Sequence, residues 1–183
     1  MAASDFWTSA NVEPKRKYRF LVQFAGGGSD IGQMWFAKTV KKPEISVNAQ
    51  EHAYLNHKFY FPGTVEWALV TMTLVDPVSP DAAQQMAQIL DRSGYPGPKE
   101  LNDSNPETIS KFKSVASLGQ VKITQIDSEG NSIEEWTLNN AFITKVAYGE
   151  LSYGDDALTE ISLDIRYDWA TLNTSTGTQF WQT

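Results

Sequence analysis

Between Leu158 and Trp169 the chain alternates without interruption: Thr159, Ile161, Leu163, Ile165, Tyr167 and Trp169 share one parity, and Leu158, Glu160, Ser162, Asp164, Arg166 and Asp168 the other. Successive side chains of a strand point to opposite faces, so this segment reads as a strand with one buried and one solvated row. A slip of one residue would put the whole aliphatic and aromatic row in water, so its register is strongly set. Such a row requires a second apolar layer to cover it.

Strand signals dominate elsewhere too. Tyr18, Phe20, Val22 and Phe24 alternate with Lys17, Arg19, Leu21 and Gln23. The turn Gly26-Gly27-Gly28-Ser29-Asp30 then leads into Gln33–Val40, and the two runs read as a hairpin. Residues 44–61 hold Ile45-Ser46-Val47 and Lys58-Phe59-Tyr60-Phe61 around a polar tip, Glu51 to His57, which predicts a long projecting hairpin. Val65–Val75 is apolar on both parities, as in a central strand covered on both sides. One helix is predicted over 79–92, with Ser79 as N-cap, Pro80 at its first position, and Ala83, Met86, Ala87 and Leu90 as its apolar face. The segment to Leu118 reads as loop with a short helical stretch from Pro106, where Ile109, Phe112 and Val115 recur. Val121–Ile126 and Ile133–Leu138 flank the turn Asp127–Asn131, and Asn140–Ala147 follows.

The prediction is a mainly β chain: seven or eight strands in two packed antiparallel sheets, forming a sandwich or partly closed barrel with one α-helix. At 183 residues it suits one domain, residues 15–170, between an N-terminal arm (1–14) and a C-terminal arm (171–183). A balance of 22 acids to 15 bases argues against a general nucleic-acid binder, because affinity for phosphate is built from clustered cations. The chain has no cysteine, which removes thiol chemistry, disulfides and Cys-ligated metal together. No signal-peptide pattern or run of 18 apolar residues is present, so the expectation is a soluble chain made in the cytoplasm, with no membrane segment.

Catalytic patterns are missing. His52 and His57 fall on the hairpin tip with only Glu51 as an acidic neighbour, which reads as polar loop rather than metal site. There is no Walker loop and no Gly-x-Ser-x-Gly. Glu160, Asp164 and Asp168 recur on one strand face about 13 Å apart, too far to share an ion. No cofactor is implied, and the chain reads as a non-enzyme. Charge is unevenly spread: Glu13–Lys58 carries eight bases and four acids, whereas Asp127–Asp168 carries ten acids and two bases. Oppositely charged portions can bring copies together head to tail.

Three stretches, in order, carry a resemblance: Lys58-Phe59-Tyr60-Phe61-Pro62-Gly63-Thr64-Val65-Glu66-Trp67; Leu138-Asn139-Asn140-Ala141-Phe142-Ile143-Thr144-Lys145-Val146; and Gly149-Glu150-Leu151-Ser152-Tyr153-Gly154-Asp155-Asp156, closed by Tyr167-Asp168-Trp169. Together they resemble the tail tube proteins of contractile-tailed bacteriophages, from about Lys17 to Trp169. Ile143 stands where that family usually has proline, which bears on the tightness of the turn.

The resemblance implies hexameric rings whose strands form a continuous barrel around a channel, stacked as a tube inside a contractile sheath. It implies a virion tail component assembled in the host cytoplasm, with copies of itself, sheath, baseplate and tube-terminator proteins as partners, through which DNA passes without specific binding. An acidic bore would repel the phosphate backbone. Glu134 and Thr137, or Glu160, Asp164 and Asp168, are the candidate lumen-facing rows; Lys41, Lys42, Tyr54, Leu55, His57, Phe180 and Trp181 are candidate contacts between subunits or rings. Alternatives are the tube subunit of a type VI secretion or tailocin device, a baseplate tube initiator, and a carbohydrate-binding β-sandwich using Tyr54 and Trp181.

Overall fold

The computed structural model describes residues 13–26, 36–95 and 108–181. Its elements run β1 (Phe20–Ala25), β2 (Ala37–Val40), β3 (Ile45–Tyr54), β4 (His57–Trp67), β5 (Val70–Val75), α1 (Ala82–Arg92), α2 (Lys111–Leu118), β6 (Gln120–Ile126), β7 (Ser132–Asn139), β8 (Phe142–Ala147), β9 (Glu160–Arg166), β10 (Trp169–Thr174) and β11 (Gln179–Phe180). All pairings are antiparallel: a five-stranded sheet β1-β6-β7-β10-β11, a four-stranded sheet β2-β5-β9-β8, and the separate ribbon β3-β4.

The two larger sheets share one core. Ile161, Leu163 and Ile165 of β9 are fully buried beside Val70, Met72 and Leu74 of β5, as their parity requires. Val22, Phe24, Val121, Ile123, Leu138 and Ala170 face them from the five-stranded sheet. Ala82, Met86 and Ile89 of α1 and Leu118 of α2 belong to the same cluster. Neither sheet closes on itself among the described residues, so the barrel expectation gives way to an open sandwich with edges at β1, β11, β2 and β8.

Several expectations are corrected. Lys17–Phe24 and Gln33–Val40 do not form a hairpin: β1 pairs with β6 and β2 with β5, in different sheets. Residues 27–35 of the intervening stretch lie outside the described residues. Gly26 packs so tightly on the end of α2 that a Cβ there would lie 2.3 Å from the Leu118 carbonyl carbon, and this contact holds the two segments together. The apolar run Val65–Val75 breaks at Ala68-Leu69; only β5 is central, and Val65 belongs to the exposed ribbon.

The strand read through Trp169 also breaks. The chain turns at Tyr167-Asp168 and crosses from the four- to the five-stranded sheet, where Ala170, not Trp169, is buried. A second crossing, from β7 to β8, runs through Asn140 at φ 54°, a left-handed conformation asparagine tolerates, and Ile143 lies beyond it in β8, opposite Ile165. Asn140 Nδ2 donates to Asp168 at 2.8 Å, tying the two corners together.

There are two helices rather than one. Asp81 caps α1, accepting from the Gln84 amide at 2.9 Å, so the helix begins after Ser79-Pro80 and its buried face is Ala82, Met86 and Ile89, with Ala87 exposed. Ser110 caps α2, which buries Ser114, Ser117 and Leu118 while Ile109 and Phe112 stay exposed. Residues 96–107 and the N-terminal residues 1–12 lie outside the described residues. The segment taken as a C-terminal arm completes β10 and forms β11.

Leu163→Ala removes a fully buried side chain at the centre of the shared core. It should cost about 2–5 kcal/mol, read as a lowered chemical-denaturation midpoint, whereas Ser162→Ala on the exposed row should change it little.

Candidate assembly surfaces

The ribbon β3-β4 leaves one end of the four-stranded sheet and is exposed from Ile45 to Glu66. Its ten-residue first strand spans roughly 33 Å. Across the pairs Gln50–Phe61, His52–Phe59 and Tyr54–His57, one face presents Tyr54, Phe59 and Phe61 beside both histidines. The other carries Tyr60, Ala53 and the ion pair Lys58–Glu51 at 2.9 Å. Leu55, at the tip with φ 53°, is 86% exposed. An isolated two-stranded ribbon is marginally stable in water, and this one is held by the subunit only at its base among the described residues.

A partly buried ion cluster ties the ribbon's base to the five-stranded sheet. Lys42, three residues before β3, donates to Glu134 at 2.6 Å and to Gln125 at 2.7 Å, and Lys15 pairs with the same carboxylate. Trp136 Nε1 donates to Glu134 at 2.6 Å. Burial pushes the Glu134 carboxyl up, but the hydrogen bonds from Lys15, Lys42 and Trp136 and the Lys42 charge outweigh it and hold it at about 2. Glu134 and Thr137, one of the two expected lumen rows, are therefore both buried within the subunit. Lys41 stays exposed, paired with Glu44 at 2.6 Å.

The outer face of the four-stranded sheet carries the other row. Thr39, Thr71, Thr73 and Ser162 place hydroxyls there; Asp164 accepts from Thr71 at 2.9 Å and stands opposite Lys145, and Glu160 pairs with Lys38. This face is hydroxyl-rich and carries Lys38, Lys145 and Arg166 against Glu160 and Asp164, not the acidic excess expected. Asp168 sits at the corner instead, where the Lys111 ammonium and Asn140 hold its carboxyl below the usual range. The basic and acidic portions of the sequence thus meet partly within one chain, through Lys15, Lys42 and Lys38, which accounts for some of the charge separation read as head-to-tail attraction.

Phe180 and Trp181 fold back on the subunit. Trp181 stacks on Trp136 with centroids 6.0 Å apart and meets Trp67 edge-on at 5.7 Å, yet remains 49% exposed. The connector from Tyr148 to Thr159, which carries part of the sequence resemblance, leaves Tyr148, Leu151, Tyr153 and Leu158 exposed. No group of three or more His, Asp or Glu could hold a metal ion among the described residues, and both histidines are on the solvated ribbon.

No protein-family model and no curated protein matches the chain. Solved structures do. A chain of the anti-feeding prophage baseplate, solved with 6-fold symmetry, superposes with a TM-score of 0.65 at 14% identity, covering 88% of this chain and 97% of that one. A chain of an extracellular contractile injection system, the PVC sheath-tube complex in its extended state, gives 0.60 at 15% identity over 95% and 99%. An Hcp protein gives 0.52 at 11% identity over 88% and 96%. The chain has the fold of these proteins, as the resemblance read from the sequence implied.

Glu134→Gln should lower stability by about 2 kcal/mol at neutral pH, since it leaves two lysines without their carboxylate. Because the folded-state value lies below the ordinary 4.5, the wild-type contribution is present above about pH 4.5 and lost as pH falls towards 2; the variant should lack that part of the acid-unfolding slope, measured by circular dichroism.

Proposed function

We propose that the chain is a structural tube subunit of a contractile injection system and works by assembly, without catalysis. The observation that carries this reading is a tube-protein fold whose four-stranded sheet has open edges at both β2 and β8, beside a long ribbon that nothing covers among the described residues. Exposed edges invite pairing, and closing a barrel between subunits removes them. In this reading copies join edge to edge into a hexameric ring, rings stack into a hollow tube, and sheath, baseplate and terminator proteins complete the device. The ribbon residues Tyr54, Leu55 and His57, with Lys41, Phe180 and Trp181, serve contacts between subunits or rings.

The bore is then the outer face of the four-stranded sheet, with Glu160 and Asp164 as its carboxylates, and the assembled tube is the tail of a phage virion through which DNA passes. The cations of this face each have a carboxylate nearby, Lys38 with Glu160, Lys145 opposite Asp164 and Arg166 3.8 Å from Glu66, so phosphate meets no uncompensated cation row. The hydroxyl-rich wall without an acidic excess and the likeness to an Hcp protein favour a second reading equally, the tube of a secretion or tailocin device. Glu160 and Asp164 each have a cation or hydroxyl partner, which supports a wall rather than a catalytic pair.

Negative-stain microscopy of the purified protein should show rings or stacked tubes with a central hole; particles that stay monomeric at high concentration would overturn the reading. In assembled protein, the double variant E160Q/D164N should unmask Lys38 and Lys145 and produce DNA retention, with a log–log salt slope about one to two more negative than wild type.

A further inference from the structure

Both roots of the ribbon are tied to one node on β7. Lys42, ahead of β3, reaches Glu134, and Trp136 Nε1 donates to the same carboxylate at 2.6 Å. Trp67, the last residue of β4, has Tyr167 beside it, with ring centroids 6.0 Å apart, and is met edge-on by Trp181 at 5.7 Å. Trp181 also stacks on Trp136 at 6.0 Å, so this one ring bridges the outgoing root of the ribbon to the five-stranded sheet.

The backbone that carries Trp181 is weakly held. β11 pairs with β10 through only Leu172–Phe180 and Asn173–Gln179. Trp181 follows at φ 59°, a left-handed conformation that costs a tryptophan free energy and persists only where its surroundings fix it. Phe180 and Trp181 both stay half-exposed.

We propose that residues 179–181 form a strap, with Trp181 as its clasp, which sets the direction in which the ribbon leaves the subunit and lets the ribbon swing when the clasp opens. With the clasp open, Trp67 keeps Tyr167 but loses its tie to β7, and Lys42 restrains only the incoming root. The Ala68 amide donates to the Glu44 carbonyl at 2.9 Å, which joins the two roots to each other, so they move as one. Length then supplies leverage: along a ten-residue strand, a rotation of about 10° at the root carries the tip about 6 Å. Trp181 is a positioning residue for the ribbon, and the strap works within one chain, whether or not rings form.

The chain has no cysteine, so spin labels can be placed at A53C on the ribbon and S128C on the β6–β7 turn, both exposed positions. Pulsed dipolar spectroscopy, on labelled chain diluted in unlabelled chain, should give one narrow distance peak. W181A removes both ring contacts and should raise the population outside that peak about tenfold. W181F keeps a ring in the gap and should hold most of the population within it. Hydrogen exchange of the β5 and β9 amides should be the same in W181A as in wild type. A wild-type distribution that is already broad, or one that W181A leaves unchanged, overturns the strap. So does broadening accompanied by loss of protection in β5 and β9, because Trp181 would then support the whole fold rather than the ribbon.

Discussion

A strand edge displays backbone donors and acceptors that must be paired, hydrated or hidden. The four-stranded sheet has two such edges, β2 and β8, and its inner face is buried by the rest of the chain. The subunit therefore has a finished core and an unfinished perimeter. The same division runs through the ribbon, whose hydrogen bonds are complete between its own strands while both side-chain faces meet solvent. Interior burial stabilises the single chain, and the β2 and β8 edges and both faces of the ribbon are left open among the described residues.

The ion cluster at Glu134 links these two parts. It joins Lys15 beside the N-terminal segment and Lys42 at the root of the ribbon to one carboxylate on β7, so the direction in which the ribbon leaves is set by charge-assisted hydrogen bonds anchored in the five-stranded sheet. Asp168 does comparable work at the sandwich corner, holding Lys111 of α2 and Asn140 of the opposite crossing. Both residues carry negative charge that the sequence alone would place on a wall, and both are used to brace the scaffold.

What could be read from the sequence followed the range of the interactions. The buried row of β9, the β6–β7 hairpin around Gly130 and the long ribbon rest on parity or turn residues close in sequence, and they stand as expected. Pairing partners did not: β1 meets β6 across about a hundred residues, which no local pattern encodes. The break at Tyr167-Asp168 was hidden because alternation continues across it while the chain changes sheets. Glu134 was misplaced for a related reason, since its lysine partners come from distant segments. The groove of the connector gave only a weak signal in the sequence, scattered Leu and Tyr among acids.

The central claim is that copies of the chain complete the perimeter of the four-stranded sheet. Hydrogen–deuterium exchange tests it most directly, comparing the backbone amides of β2 and β8 in dispersed subunits and in the assembled particle. The account requires the amides facing away from β5 and β9 to exchange quickly in the dispersed chain and to become protected on assembly, while β5 and β9 are protected in both. Equal exchange of β2 and β8 in the two states would contradict it.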